Sequence, residues 1–270
     1  MPEEAAKGRG APVAIVTGAS SGIGRALAVR LASAGDRVGL IARRGDLLES
    51  LRDQIARARG QAVAEAADVS DREALHGAVA RIEEQLGPVD VMVANAGFGA
   101  PTHLDPLNIA DVEQTFRVNL MGVIYSVEAV LPGMLARQSG QIVAVSSLAG
   151  DRGLPGESAY CASKAAVNVY MEGLRIAARK RGVVVTTVCP GFVQTPMAPM
   201  DAAATPFIMS AEAAADRIAR LIERRRGGVH RFPRRMALLM SLIARLPDAL
   251  VARLVGDGST HEPAPAEQAR

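Results

Sequence analysis

Tryptophan is absent from this chain of 270 residues, and only 3 Tyr and 5 Phe supply aromatic rings. So few rings leave no stacking platform for single-stranded nucleic acid. Cysteine is equally scarce. Cys161 and Cys189 cannot build a disulfide framework, and both are expected as reduced, buried thiols. The four histidines lack an H-x-x-x-H spacing, so no metal site is predicted. An excess of either charge is also lacking: the formal net charge is +3, too small to argue for nucleic-acid binding. No uninterrupted apolar run of about 18 residues stands out, so no membrane span is expected. The polar opening MPEEAAKGRG does not read as a secretory signal, and a cytoplasmic protein is the expectation.

Hydrophobic residues are plentiful at 49%, enough for a substantial core. Short apolar runs alternate with amphipathic stretches. Strands are predicted at 12–17, 37–42, 61–66, 89–94, 141–145, 183–188 and 228–231. Helices are predicted between them. One is a long helix with Phe116, Leu120, Val123, Val127, Val130 and Met134 on its apolar face, and another covers 158–180. Gly60 is placed to end the helix of Leu47, Leu51 and Ile55. The alternation predicts a single α/β domain, a Rossmann-like, doubly wound parallel sheet of about seven strands with helices on both faces. The expected organisation is a flexible arm at 1–11, the domain at 12–231, an amphipathic extension at 232–256 and a disordered tail at 257–270.

Thr17 to Gly24 reads TGASSGIG and joins the first strand to the first helix. Gly18 permits a tight turn, Gly22 allows close approach of a pyrophosphate, and Gly24 permits close helix-on-strand packing. Free N–H groups at the helix start would meet the phosphate charge, with Ser20, Ser21 and Ile23 in the same loop. The second strand ends at Ala42, where a carboxylate would favour NAD. Arg43 and Arg44 follow instead, with Arg25 as a further source of charge. A guanidinium there can grip a 2′-phosphate, so NADP(H) is the predicted cofactor.

Tyr160 and Lys164 stand four residues apart and would share one helix face. An ammonium beside a phenol is expected to lower its pKa and make it a proton donor to a carbonyl or acceptor from an alcohol. TGASSGIG, Asp68-Val69, ANAG at 94–97, Asn119, Ser146-Ser147, YCASK at 160–164 and PGFVQT at 190–195 occur in one order. In that set the chain resembles the short-chain dehydrogenase/reductase family over roughly residues 12–230. The resemblance implies a hydride transfer between a nicotinamide and a carbonyl or hydroxyl carbon. It implies that Ser147 holds the substrate oxygen and that Asn119 and Lys164 belong to a proton relay. It implies cofactor contacts for Asp68, Val69, Asn95, Ala96, Gly97, Pro190, Gly191, Val193 and Thr195, and for Tyr160 and Lys164 through the nicotinamide ribose. It implies a homodimer or homotetramer. Ala94 departs from the pattern, since many relatives carry a second Asn there.

Phe98, Leu148, Leu154, Phe192, Met197, Met200 and the run Phe207 to Met209 are expected to wall the substrate space, which suggests a hydrophobic or lipid-like carbonyl compound. In the extension, Met236, Leu239, Ile243 and Leu246 repeat at helical spacing among arginines. Two readings stand for it: packing against the core or a partner subunit, or peripheral contact with an anionic membrane surface. For the whole chain, the alternative from another class is a non-catalytic dinucleotide-sensing protein.

Overall fold

A computed structural model describes residues 10–197, 205 and 207–255. The arm through residue 9, Met200 and the tail at 257–270 lie outside the described residues. The order is β1 (Val13–Thr17), α1 (Gly22–Ser33), β2 (Arg37–Ala42), α2 (Gly45–Arg57), β3 (Gln61–Ala66), α3 (Arg72–Leu86) and β4 (Val91–Ala94). It continues through α4 (Ile109–Phe116), a π turn (Arg117–Met121), α5 (Gly122–Ala136), β5 (Gly140–Val145), a 3-10 turn (Leu148–Asp151), α6 (Ser158–Ala178) and β6 (Val183–Pro190). Last come β7 (Val193–Gln194), β8 (Met209–Ser210), α7 (Ala211–Glu223), β9 (Gly228–Phe232), α8 (Arg234–Ile243) and α9 (Asp248–Val255).

Seven strands form one parallel sheet in the order β3-β2-β1-β4-β5-β6-β9. Every residue of β1, β4 and β5 is buried, which is why those runs are almost wholly apolar. The edge strand β3 is covered less and carries Gln61 and Glu65. Helices α3, α5 and α6 cover one face through Ile82, Val127, Met134 and Met171. Helices α1, α2 and α7 cover the other through Leu27, Leu31, Leu51 and Ile218. Each such side chain removed from water contributes about 1.5–3 kcal/mol before entropy is counted. The chain order reverses between β1 and β4. Crossovers therefore leave on opposite faces there, and a crevice opens at the carboxyl ends of the strands.

Three local expectations change in the structure. The left-handed residue at the end of α2 is Arg59 (φ 64°), not Gly60. Gly60 instead lies so close to Ile55 that a Cβ would stand 2.7 Å from its side chain. The long helix runs from Ile109 to Ala136 and is widened at 117–121, so it is long and apolar enough by composition to cross a membrane. Its Val118, Val123, Val127 and Val130 are buried in the core, which makes it a core helix rather than a lipid-facing one. The domain boundary expected after residue 231 falls inside β9.

The extension folds back on the molecule. Met236 and Met240 of α8 pack with Leu148 and Cys189. Arg152 donates to the carbonyls of Ala244 and Leu246 at the end of α8 and pairs with Asp248. A cation at those orphan carbonyls satisfies the helix terminus and its negative dipole end.

Candidate active site

One elongated cavity of about 750 Å³ follows the carboxyl ends of the strands, from Arg43 and Asp68 at one end to Met236 and Met240 at the other. Its size lies within the range of ligand clefts. The glycine turn after β1 forms its floor. Gly18 (φ 66°) and Gly22 (φ 55°) hold left-handed conformations. A Cβ on Gly18 would lie 2.8 Å from the Ala96 Cα, so the turn and the loop after β4 touch backbone to backbone. Asn95 locks them, its Nδ2 donating to the Thr17 carbonyl at 2.9 Å. Thr17 Oγ1 accepts from the N–H groups of Asn95 and Ala96.

The start of α1 has no side-chain cap and no acidic residue in its first turn. Its N–H groups are open to an anion. Arg44 donates to Ser20 Oγ at 2.9 Å and Ser21 Oγ at 3.0 Å, shaping the loop from β2. Arg43 lines the cavity, is mostly exposed, and stands 4.0 Å from Asp68. Asp68 is itself held by Ser70. Arg25 departs from its expected role: it binds Gln54 of α2 at 2.6 Å and does not line the cavity. This glycine cradle with guanidinium groups at its rim fits a phosphorylated dinucleotide.

At the centre stand Ser147, Tyr160 and Lys164. Ser147 follows β5 in extended conformation, and its Oγ accepts from the Ala149 N–H at 3.1 Å. Ser146 turns away and donates to the Lys164 carbonyl, tying β5 to α6. Tyr160 and Lys164 share a face of α6, with Lys164 Nζ 5.7 Å from the centre of the Tyr160 ring. Nζ donates to the Val145 carbonyl at 3.1 Å.

The electrostatics of this site differ from the expected pairing. Burial raises the Tyr160 pKa above its ordinary value, and the Ser147 hydroxyl only partly offsets it. Burial also lowers Lys164 to about 8. Lys164 is still charged at pH 7, but its Nζ is turned to the Val145 carbonyl and desolvation of the phenol dominates, so the phenol is held as a neutral donor. This carries a stability consequence. Between about pH 8 and 10.5 the unfolded chain holds the lysine proton and the folded chain does not, so stability rises with pH in that window. At pH 7 both states are protonated and the burial cost is carried in full. Lys164→Met is therefore expected to stabilise the cofactor-free protein by about 1–3 kcal/mol at pH 7. The gain should shrink toward pH 10. Thermal unfolding at the two pH values checks this, and a lower melting temperature at pH 7 would contradict it.

Asn119 sits in the π turn, fully buried. Its Oδ1 accepts from the Phe98 N–H at 2.7 Å, and its Nδ2 donates to the Phe98 carbonyl and to Ser163 Oγ, each at 2.9 Å. The whole amide is thus spent on clamping the loop after β4 to α6. A methyl built on Gly97 would stand 3.5 Å from Asn119 Oδ1 and 3.7 Å from Lys164 Nζ, so the three converge. By geometry Asn119 positions this loop and the helix that carries Tyr160.

Pro190, Gly191, Val193 and Thr195 line the cavity as expected, as do Val69, Ala96, Gly97 and Ile23. Thr195 lies close over Gly22, within 3.1 Å of where a Cβ would be. Of the expected substrate walls, Phe98, Leu148, Leu154, Phe192 and Met197 are present. Phe207, Ile208 and Met209 do not line the cavity; Met209 pairs with Val193 in the small sheet instead. Met236 and Met240 replace them. The sequence reading set Met236 on one face with Leu239, Ile243 and Leu246; in the structure Met240 joins Met236 inward and Leu239 is exposed.

The family profile described as short chain dehydrogenase matches residues 12–205. An uncharacterized oxidoreductase of Myxococcus xanthus is 39% identical over 238 residues, 88% of this chain and 93% of its own. The 2-(R)-hydroxypropyl-CoM dehydrogenase of Xanthobacter autotrophicus is 38% identical over 193 residues, 68% of this chain and 76% of its own. Among solved structures, an actinorhodin polyketide ketoreductase with NADPH superposes with a TM-score of 0.77 at 30% identity, covering 82% of this chain and 95% of that one. A 3-ketoacyl-ACP reductase from Sinorhizobium meliloti gives 0.76 at 33%, covering 84% and 100%.

Proposed function

Because the chain belongs to the short-chain dehydrogenase family, and is an oxidoreductase in that sense, we propose that it moves a hydride between NADP(H) and a carbonyl or secondary alcohol carbon of a hydrophobic compound. The observation that carries this reading is a half-buried Tyr160 that lines, together with Ser147 and Lys164, the cleft that begins at the glycine turn. When bound, the nicotinamide supplies or accepts the hydride. The glycine turn, Asn95 and Thr195 would hold the dinucleotide, and Arg43 would meet a 2′-phosphate. Ser147 Oγ holds the substrate oxygen by a hydrogen bond. The Tyr160 hydroxyl then gives its proton to that oxygen in reduction, or takes one in oxidation. Lys164 lies behind the phenol as the group through which the proton is replaced, while Asn119 keeps the loop and helix in register.

Phe98, Phe192, Leu154, Met236 and Met240 make the substrate end apolar, which supports a hydrophobic substrate. The buried free thiols Cys161 and Cys189 support a cytoplasmic setting. Exposed Val169 and Ile176 on α6 support a homo-oligomer. NADPH is expected to bind at least about tenfold tighter than NADH, about 1.4 kcal/mol. Arg43→Ala should remove that preference and leave NADH affinity unchanged. Nucleotide titration, followed by NADPH consumption with carbonyl compounds of increasing chain length, tests both ends of the site. Equal affinities would defeat the cofactor assignment, and preference for short polar carbonyls would defeat the substrate class. No consumption with any carbonyl or alcohol would favour the dinucleotide-sensing alternative.

A further inference from the structure

Helix α8 has two unlike faces. Met236 and Met240 point inward, are buried, and form the apolar end of the cavity. Leu238 (65% exposed), Leu242 (56%) and Leu239 point outward with nothing upon them among the described residues. In α9, Leu250 and Leu254 are likewise exposed. Such a cluster of large apolar side chains in water marks a contact surface.

Charge decides the kind of partner. Arg234, Arg235, Arg245 and Arg253 are exposed around these leucines. None of them forms an ion pair among the described residues, and Arg245, just past the end of α8, only reaches back to Ser241 of that helix. The single carboxylate of the stretch 234–255, Asp248, is engaged by Arg152. A second copy of this chain meeting the patch by two-fold symmetry would set arginine against arginine. An anionic lipid surface meets both features: it takes the leucines into the acyl boundary while the guanidinium groups remain at the headgroups.

We propose that the outward face of α8 and α9 docks this protein on anionic membrane surfaces, so that one helix separates the bilayer from the apolar end of the cavity. A helix with its side chains is about 10 Å across. A membrane-dissolved substrate would then reach the cavity without a long passage through water. This last step rests on the hydride-transfer reading above; the docking does not.

The test is flotation of the full-length protein with vesicles of phosphatidylcholine alone and of phosphatidylcholine with phosphatidylglycerol in equal parts. Binding is expected to the second only, and to fall as salt is raised. L238E/L242E alters residues that touch neither cofactor nor substrate. It should cut vesicle binding at least about tenfold and leave NADPH affinity and turnover of a water-soluble ketone unchanged. R234E/R235E should do the same, because the headgroup contact is ionic. Absence of flotation with anionic vesicles, or flotation indifferent to both variants, would overturn the proposal. A change of L238E/L242E from dimer to monomer in sedimentation without vesicles would overturn it too, by giving the face to a second copy. Flotation without turnover of any ketone would sustain the docking and defeat only the hydride-transfer reading.

Discussion

Tyr160→Phe is expected to lower turnover at least about a hundredfold while nicotinamide dinucleotide binding persists, in keeping with the size of general-acid effects. The substitution removes one oxygen and keeps the ring. The ring packs in the wall of the cleft near Gly99, so shape is preserved. The phenol lines the cleft beside Ser147, whose hydroxyl only partly offsets the rise that desolvation gives its pKa, so it stays protonated. Without it Ser147 can still hold a substrate oxygen, but no group of suitable acidity stands at that oxygen. Lys164 cannot substitute, because Nζ lies behind the ring and is bonded to the Val145 carbonyl. The glycine turn is untouched, so affinity should stay. Steady-state turnover and fluorescence titration with NADPH separate the two quantities. Turnover close to that of the parent would remove Tyr160 from the chemistry.

Gly24→Ala should be the most damaging single methyl in the cofactor half of the site. Helix propensity alone argues the other way, since Ala is favoured over Gly by about 1 kcal/mol within a helix. The close contact wins. The added Cβ would fall 2.4 Å from the Gly18 carbonyl oxygen and 2.5 Å from Asn95 Nδ2. The first is backbone and the second is committed to the Thr17 carbonyl, so neither can swing aside cheaply. Relief requires the turn to part from the helix, at a cost of about 1–3 kcal/mol as for other overpacked sites. The phosphate-facing N–H groups move with it. Dinucleotide affinity is expected to fall at least about tenfold, beyond the loss of thermal stability. Unchanged affinity in the variant would mean that the turn does not cradle phosphate.

The two variants report on parts of the site that were unequally legible. TGASSGIG announces its own conformation, because a turn with residues at positive φ before a helix admits few side chains other than glycine. The Tyr160–Lys164 spacing places both on one face of any helix. What spacing could not show was their environment. Depth of burial sets the proton affinity of both groups, and depth belongs to the packed molecule. Asn119 illustrates the same limit. Its position in the long helix was plain, but the π turn that aims its amide at Phe98 depends on a neighbour distant in sequence.

Period and composition were enough by themselves for the parallel sheet, its helices and the glycine turn. Apolar runs of strand length, alternating with 3.6-residue periodicity, have one economical packing. Tertiary structure alone decided where the remaining surfaces point. It turned Arg25 away from the cleft and Met209 into a small sheet. It laid the inward methionines of α8 over the active site while leaving its leucines to solvent. Helical period states that a face exists, whereas the partner of that face is chosen by contacts between residues far apart along the chain.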